Sequence, residues 1–157
     1  MEILQALHES GFAWWLRRAT TLYPFFNAFH ILSIGLVVGA IGTLDLRVLG
    51  LFRESSLSHL GPPLSRMAAL GVTLAFASGF VIFSVQPVAY AQNPAFLLKV
   101  GLAVLGAVNA LALHGRPAWR AAMATGEAGL SVKAQAGASL AIWAAAVISG
   151  RWIAFVE

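Results

Sequence analysis

The chain has 157 residues, of which 59% are hydrophobic and 10% charged, with a formal net charge of +4. A soluble domain carries roughly 25% charged residues, so ten basic and six acidic side chains are too few to cover a water-facing globule. Disorder is excluded too, because it needs low hydrophobicity and high charge; the sequence reads as an integral membrane protein.

Unbroken apolar blocks at 31–41 and 140–148 lack the period-two alternation of barrel strands, and a spanning helix needs about 20 residues. The expected fold is all-α: a four-transmembrane-helix bundle with an N-terminal interfacial amphipathic helix, in a single domain over 1–157.

In chain order, residues 2–18 form the interfacial helix. Ile3, Leu4, Leu7, Gly11, Trp14 and Trp15 recur at helical spacing, and Glu2, Gln5, Glu9, Arg17 and Arg18 take the other face. Paired tryptophans beside paired arginines suit the headgroup level, and a basic pair that follows the apolar residues is unlike a signal peptide. Span one covers about 22–46, with Pro24 in its first turn. Gly35, Gly39 and Gly42 make a small-residue stripe that lets another helix, or a second copy of the chain, approach closely. A polar loop at 53–66 contains Pro62 and Pro63. Span two covers 67–85, with Gly71, Ser78 and Gly79 as packing positions, and a connection at 86–94 holds Tyr90 and Asn93. Span three, 95–114, contains Lys99 and Asn109, the latter expected to hydrogen-bond a neighbouring helix. After a small-residue loop at 115–133, span four covers 134–156, with Trp143 near mid-depth and Arg151 shortly before its end. The two halves share no residue pattern, so an inverted repeat is not indicated.

Cations set orientation. Loops one and three carry Arg47, Arg53, Arg66, Arg116, Arg120 and Lys133 against Arg17, Arg18, Lys99 and Arg151 on the other side, six to four. Loops one and three are therefore expected in the cytoplasm. The pI near 10.4 would suggest nucleic acid in a soluble protein; spread along a membrane chain, these cations set topology and meet anionic lipid instead. There is no cysteine, so disulfides, iron–sulfur clusters and thiolate metal sites are excluded. The methionines are Met1, Met67 and Met123, which leaves no Met-lined copper path.

Ionisable groups inside spans mark function by default. At a rise of 1.5 Å per residue, His30 lies roughly 12 Å below its surface, Lys99 roughly 6 Å and Arg151 roughly 8 Å, all from the same side. Three helices thus bring His30, Lys99 and Arg151 into one layer, with Tyr23, Asn27, Tyr90 and Asn93 at similar depth. Haem b suits such a layer, the imidazole of His30 serving as axial metal ligand and the cations pairing with propionates. A quinone suits it as well, with His30 and Lys99 exchanging protons with its oxygens. His114 and His59 lie on the opposite side, where they make a candidate second site or rest in contact with water. Asp45 is expected to pair with Arg47, Arg116 or Arg120 and hold spans one and three together, a structural role preferred to proton entry.

The order Trp14–Trp15, Tyr23–Pro24, His30, the glycine stripe and Asp45-Leu-Arg47-Val-Leu-Gly50 resembles a group of small bacterial inner-membrane proteins. Tyr90-Ala-Gln-Asn-Pro94-Ala-Phe96-Leu-Leu-Lys99 and Ser149-Gly150-Arg151-Trp152-Ile153-Ala154 extend the resemblance over nearly the whole chain. More distantly it is similar to the copper-resistance-D-like membrane domain and to the four-helix membrane protoporphyrinogen oxidase. In the latter a first-span histidine and a lysine early in the third span are implicated in haem or porphyrin binding, and His30 and Lys99 match them. That oxidase has a Pro-Arg pair and a further histidine where this chain has Asp45-Leu-Arg47. The resemblance therefore implies porphyrin or haem binding more than porphyrinogen oxidation.

The functional expectation is a haem-b-binding protein of the bacterial inner membrane that passes electrons to or from quinone or a membrane or periplasmic redox partner. The alternatives are a porphyrinogen or quinone oxidoreductase using the same His30–Lys99 site, and a non-catalytic membrane subunit or small-ligand carrier.

Overall fold

The structure, a computed structural model, describes residues 2–19 and 21–156. Among these residues it is all helix: α1 (Glu2–Glu9), α2 (Gly11–Arg18), α3 (Leu22–Leu49), α4 (Leu57–Val85), α5 (Pro87–Gln92), α6 (Pro94–His114), α7 (Pro117–Thr125) and α8 (Leu130–Trp152). Of these, α3, α4, α6 and α8 are long and apolar enough to cross a membrane. They form the expected four-helix bundle of a multi-pass membrane protein. Its outer surface is apolar, with Leu32 71% and Leu111 74% exposed, as a lipid-facing surface requires.

The boundaries depart from the sequence reading for identifiable reasons. α4 starts at Leu57, ten residues before the expected start at 67, and runs through Pro62 and Pro63. Two prolines usually end a helix because they remove N–H donors. Here the segment before them is held by tertiary packing, since Leu57 is fully buried and Gly61 lies under the side chain of Met123. α3 runs on to Leu49 and is stopped by Gly50 at φ +109°, with the Gly50 N–H on Arg47 O and the Leu51 N–H on Leu46 O. Only glycine takes that left-handed backbone without strain. The expected connections at 86–94 and 115–133 each contain a helix, α5 and α7, opened by a proline at its first position. α8 is displaced four residues towards the N-terminus relative to 134–156.

α3 packs along α4 on one side and α8 on the other, and α6 packs along α8; α4 and α6 make no comparable backbone approach. Two glycines set the close contacts. A Cβ on Gly71 of α4 would stand 2.9 Å from Val37 of α3, and one on Gly106 of α6 would stand 2.8 Å from the Trp143 ring of α8. The stripe Gly35, Gly39 and Gly42 has nothing within 4 Å and faces out of the bundle, so it is not the internal packing seam. Asn109 Nδ2 donates to Gln135 O at 3.3 Å, tying α6 to α8 as expected.

Each end of the bundle has its own cover. At one end α7 inserts Trp119 and Ala122 into a core with Leu44, Val48, Leu57, Leu113, Val132 and Ala136. At the other end, residues 2–18 form two helices rather than one. The break is Ser10, which adopts φ −58° and ψ 145° and accepts the Ala13 N–H on its Oγ at 3.2 Å. The α1–α2 pair folds onto α4 and α5, with Trp14 and Trp15 half-exposed and Arg18 over the Trp14 ring at 4.2 Å. Arg17 fastens it, donating to Val85 O at 3.2 Å and to His8 O at 2.8 Å.

Asp45 overturns one expectation. Instead of meeting an arginine at the helix end, it turns inward to 5% exposure, with its carboxyl on Ser139 of α8. Arg47, near the end of the same helix, donates to Ser55 O at 2.6 Å instead. Asp45 lies on the α3 face that α8 covers, whereas Arg47, two residues on, points elsewhere on the helix.

Candidate functional site

His30 points from α3 into the bundle and is half-buried. Its Nδ1 lies 2.9 Å from Ser78 Oγ on α4, and its Nε2 lies 3.3 Å from Lys99 Nζ on α6. The proton order follows from Ser78, whose hydroxyl donates to Leu74 O at 2.6 Å. With its only hydrogen committed there, Ser78 Oγ accepts from His30 Nδ1–H. Nε2 then carries the lone pair, and Lys99 donates to it.

The neighbouring residues make room for this group. A Cβ on Gly79 would come 3.1 Å from His30 Cε1, and one on Gly150 of α8 would come 3.3 Å from Lys99 Cδ. Both glycines therefore admit a long or planar side chain where a larger residue would push it aside. No carboxylate takes part in the hydrogen bonds of this group among the described residues. Two cations in contact repel, so this geometry favours a single excess proton on the pair over one on each.

One turn from this pair towards the α5 end, the space between α4 and α6 is filled by aromatic rings. Phe83 and Phe96 stack with centroids 5.5 Å apart and planes 8° from parallel, and Tyr90 leans on Phe96 at 5.2 Å. Beyond them a shallow cleft of about 500 Å³ is lined by Arg17, Ala19, Tyr23, Pro24, Val85, Gln86 and Tyr90. Burial, and then the Tyr23 hydroxyl beside it, push the Tyr90 phenol above the ordinary tyrosine range. Asn93 closes the far side of this end. Its Oδ1 accepts the Phe96 N–H at 3.1 Å, and its Nδ2 donates to Ile153 O and Val156 O at 3.2 and 2.7 Å.

The structure thus unites His30 and Lys99, and joins Tyr23 and Tyr90 in the adjoining cleft. It does not bring Arg151 to them: Arg151 is exposed and lies over the Phe155 ring at 4.8 Å, and its neighbour Gly150 faces Lys99 instead. Asn27 is exposed, on the first turns of α3. His114 spends both nitrogens on Ala110 O and Ser65 Oγ, at 2.7 and 3.0 Å, and leans on Trp119. His59 is exposed. Ser78 joins the site although its sequence context reads only as a packing position; a hydroxyl one residue from a small glycine carried no further signal.

For a haem iron, the Nδ1–H tautomer of His30 is the fitting one, since a metal-bound imidazole donates its other N–H to a neighbour. Lys99 would have to leave Nε2, and no group of three or more His, Cys, Asp or Glu side chains able to hold a metal ion occurs among the described residues. No family model matches the chain, and comparisons with curated proteins and with solved structures likewise find no match.

Proposed function

We propose that this chain is a redox protein of the bacterial inner membrane that binds a lipid-soluble quinone at His30 and Lys99 and exchanges protons with it there. The observation that supports the reading is the 3.3 Å contact between Lys99 Nζ and His30 Nε2 inside the bundle, with no carboxylate hydrogen-bonded to either among the described residues. A basic pair sharing one proton presents a donor to a carbonyl oxygen and an acceptor for the proton that oxygen later releases. A bound quinone supplies two-electron, two-proton chemistry. The chain contributes the Lys99 donor, the His30 lone pair fixed by Ser78, and the aromatic cluster of Phe83, Phe96 and Tyr90 one turn away. Electrons reach the site from a membrane or periplasmic redox partner. The surplus of cations in loops one and three favours a cytoplasmic position for those loops, with His30 nearer the periplasmic surface.

The test is quinone bound to the purified protein, measured by extraction and by titration with a short-chain quinone. His30→Ala and Lys99→Ala should each weaken binding about tenfold or more, the effect of losing one charge-assisted hydrogen bond. Equal binding in both variants overturns the reading. The Nδ1–H tautomer favours a second reading, haem b at His30 with Lys99 turned to a propionate. It requires a Soret band in the purified protein that disappears in His30→Ala. Colourless, quinone-free protein from haem- and quinone-replete cells leaves the non-catalytic subunit.

A further inference from the structure

Asp45 is the only aspartate of the chain. It lies at the end of the bundle opposite His30, roughly 22 Å further along α3. It is 5% exposed, as is Ser139 of α8, which stands beside its carboxyl. The second carboxyl oxygen, Oδ2, is buried and has no hydrogen-bond partner. One turn before Ser139 on α8, Gln135 Oε1 is also buried without a donor, and one turn after it the Trp143 Nε1–H is buried without an acceptor.

Among the described residues, no cation faces this carboxyl from the elements packed around it. On α3 and the loop that follows, Arg47 and Arg53 are engaged with Ser55 O and Gly50 O. On α4, His59 and Arg66 are exposed, as are Arg116 and, on α7, Arg120. His114 at the end of α6 has both nitrogens occupied. Lys133 precedes Ser139 by nearly two turns of α8. An ionised carboxylate enclosed in this way, with one oxygen unpartnered and no counter-charge, is among the costliest groups to bury. A proton on Oδ2 removes the charge and turns an orphaned acceptor into a donor.

We propose that Asp45, seated on Ser139 and one turn from Gln135, is a proton-binding site inside the bundle, separate from the His30–Lys99 pair. The site takes a hydrogen ion and releases it when water or a donor reaches Oδ2. It stands on the geometry at Asp45 and does not depend on which ligand His30 and Lys99 hold.

The single aspartate makes the test specific. Infrared spectra are taken of the full chain in detergent or lipid at neutral pH, unlabelled and with ¹³C in the aspartate side-chain carboxyl. The expected result is a protonated-carboxyl carbonyl band that moves with the label and is missing in Asp45→Asn. An ordinary aspartate, with a pKa of about 4, would be wholly ionised there. If only carboxylate bands move with the label, the proposal is overturned. If sodium ions abolish the acid band at constant pH, the site takes a metal cation and the proton assignment is overturned. Asp45→Asn keeps the shape of the side chain and should retain the fold, so loss of the band is distinguishable from loss of structure.

Discussion

The hydroxyl of Ser78 gives its hydrogen to Leu74 O, so the oxygen it turns to His30 Nδ1 offers only lone pairs. Ser78→Ala would leave that imidazole N–H without an acceptor, at a cost of about 1–3 kcal/mol. In ¹⁵N-histidine spectra the variant should lose its bias towards the Nδ1–H tautomer at His30; an unchanged tautomer would show that Ser78 does not fix it. Tyr90 gives a prediction at high pH. Its phenol ionises less readily in the folded chain than in the unfolded one. Stability is therefore intact below the ordinary tyrosine value of about 10 and falls as pH climbs through it. Thermal melts of Tyr90→Phe should decline less steeply above that pH than those of the wild type. At this scale the sequence was readable in depth but not in direction. His30 and Lys99 could be put at one level by counting residues. Arg151 could be put at that level too, yet one residue corresponds to about 100° of rotation on a helix. Gly150 has the inward direction and Arg151 the outward one. On helices apolar almost all round, no polar face tells the two apart.

Asn93 ties two helix ends together, accepting the Phe96 N–H in the first turn of α6 and donating to Ile153 O and Val156 O just past the end of α8. Asn93→Ala should lower stability by about 1–2 kcal/mol, the upper range for a helix cap, and hydrogen exchange should rise at both ends rather than one. Arg17 plays a similar part for the α1–α2 pair. Arg17→Ala should increase exchange over residues 2–18 while the four long helices keep their protection, and Arg17→Lys should restore little, because one ammonium does not span the Val85 and His8 carbonyls as a guanidinium does. The four long helices were legible because each contains an uninterrupted apolar block. The ten residues at the start of α4 and the whole of α7 were not, because Ser, Gly, Pro and Ala there have the composition of a linker. Their helical state comes from Trp119, Met123 and Leu57 meeting across the chain, which local pattern does not report.

Taken as a whole, the molecule has no native cysteine, so a single introduced thiol reports its own position without background. With the proposed orientation, Ser56→Cys should react with an impermeant maleimide only after the cytoplasmic side is opened, and Gln92→Cys in intact spheroplasts. The reverse pattern would invert the topology and place His30 nearer the cytoplasm. The bundle is also held unevenly. α4 is fixed at its Val85 end by Arg17 and at its Leu57 end by the α7 core, which leaves it no room to slide along its axis like a piston. α6 has a single long neighbour, α8, and meets α4 mainly through side chains. A sideways rocking of α6 about α8, with Gly106 against Trp143 as the pivot, would break fewer helix–helix contacts than a shift of α4. Such a swing lengthens or shortens the gap between Lys99 and His30 while Ser78 and His30 stay fixed to each other. Opening of the site to the lipid and separation of its shared proton would then be one and the same motion.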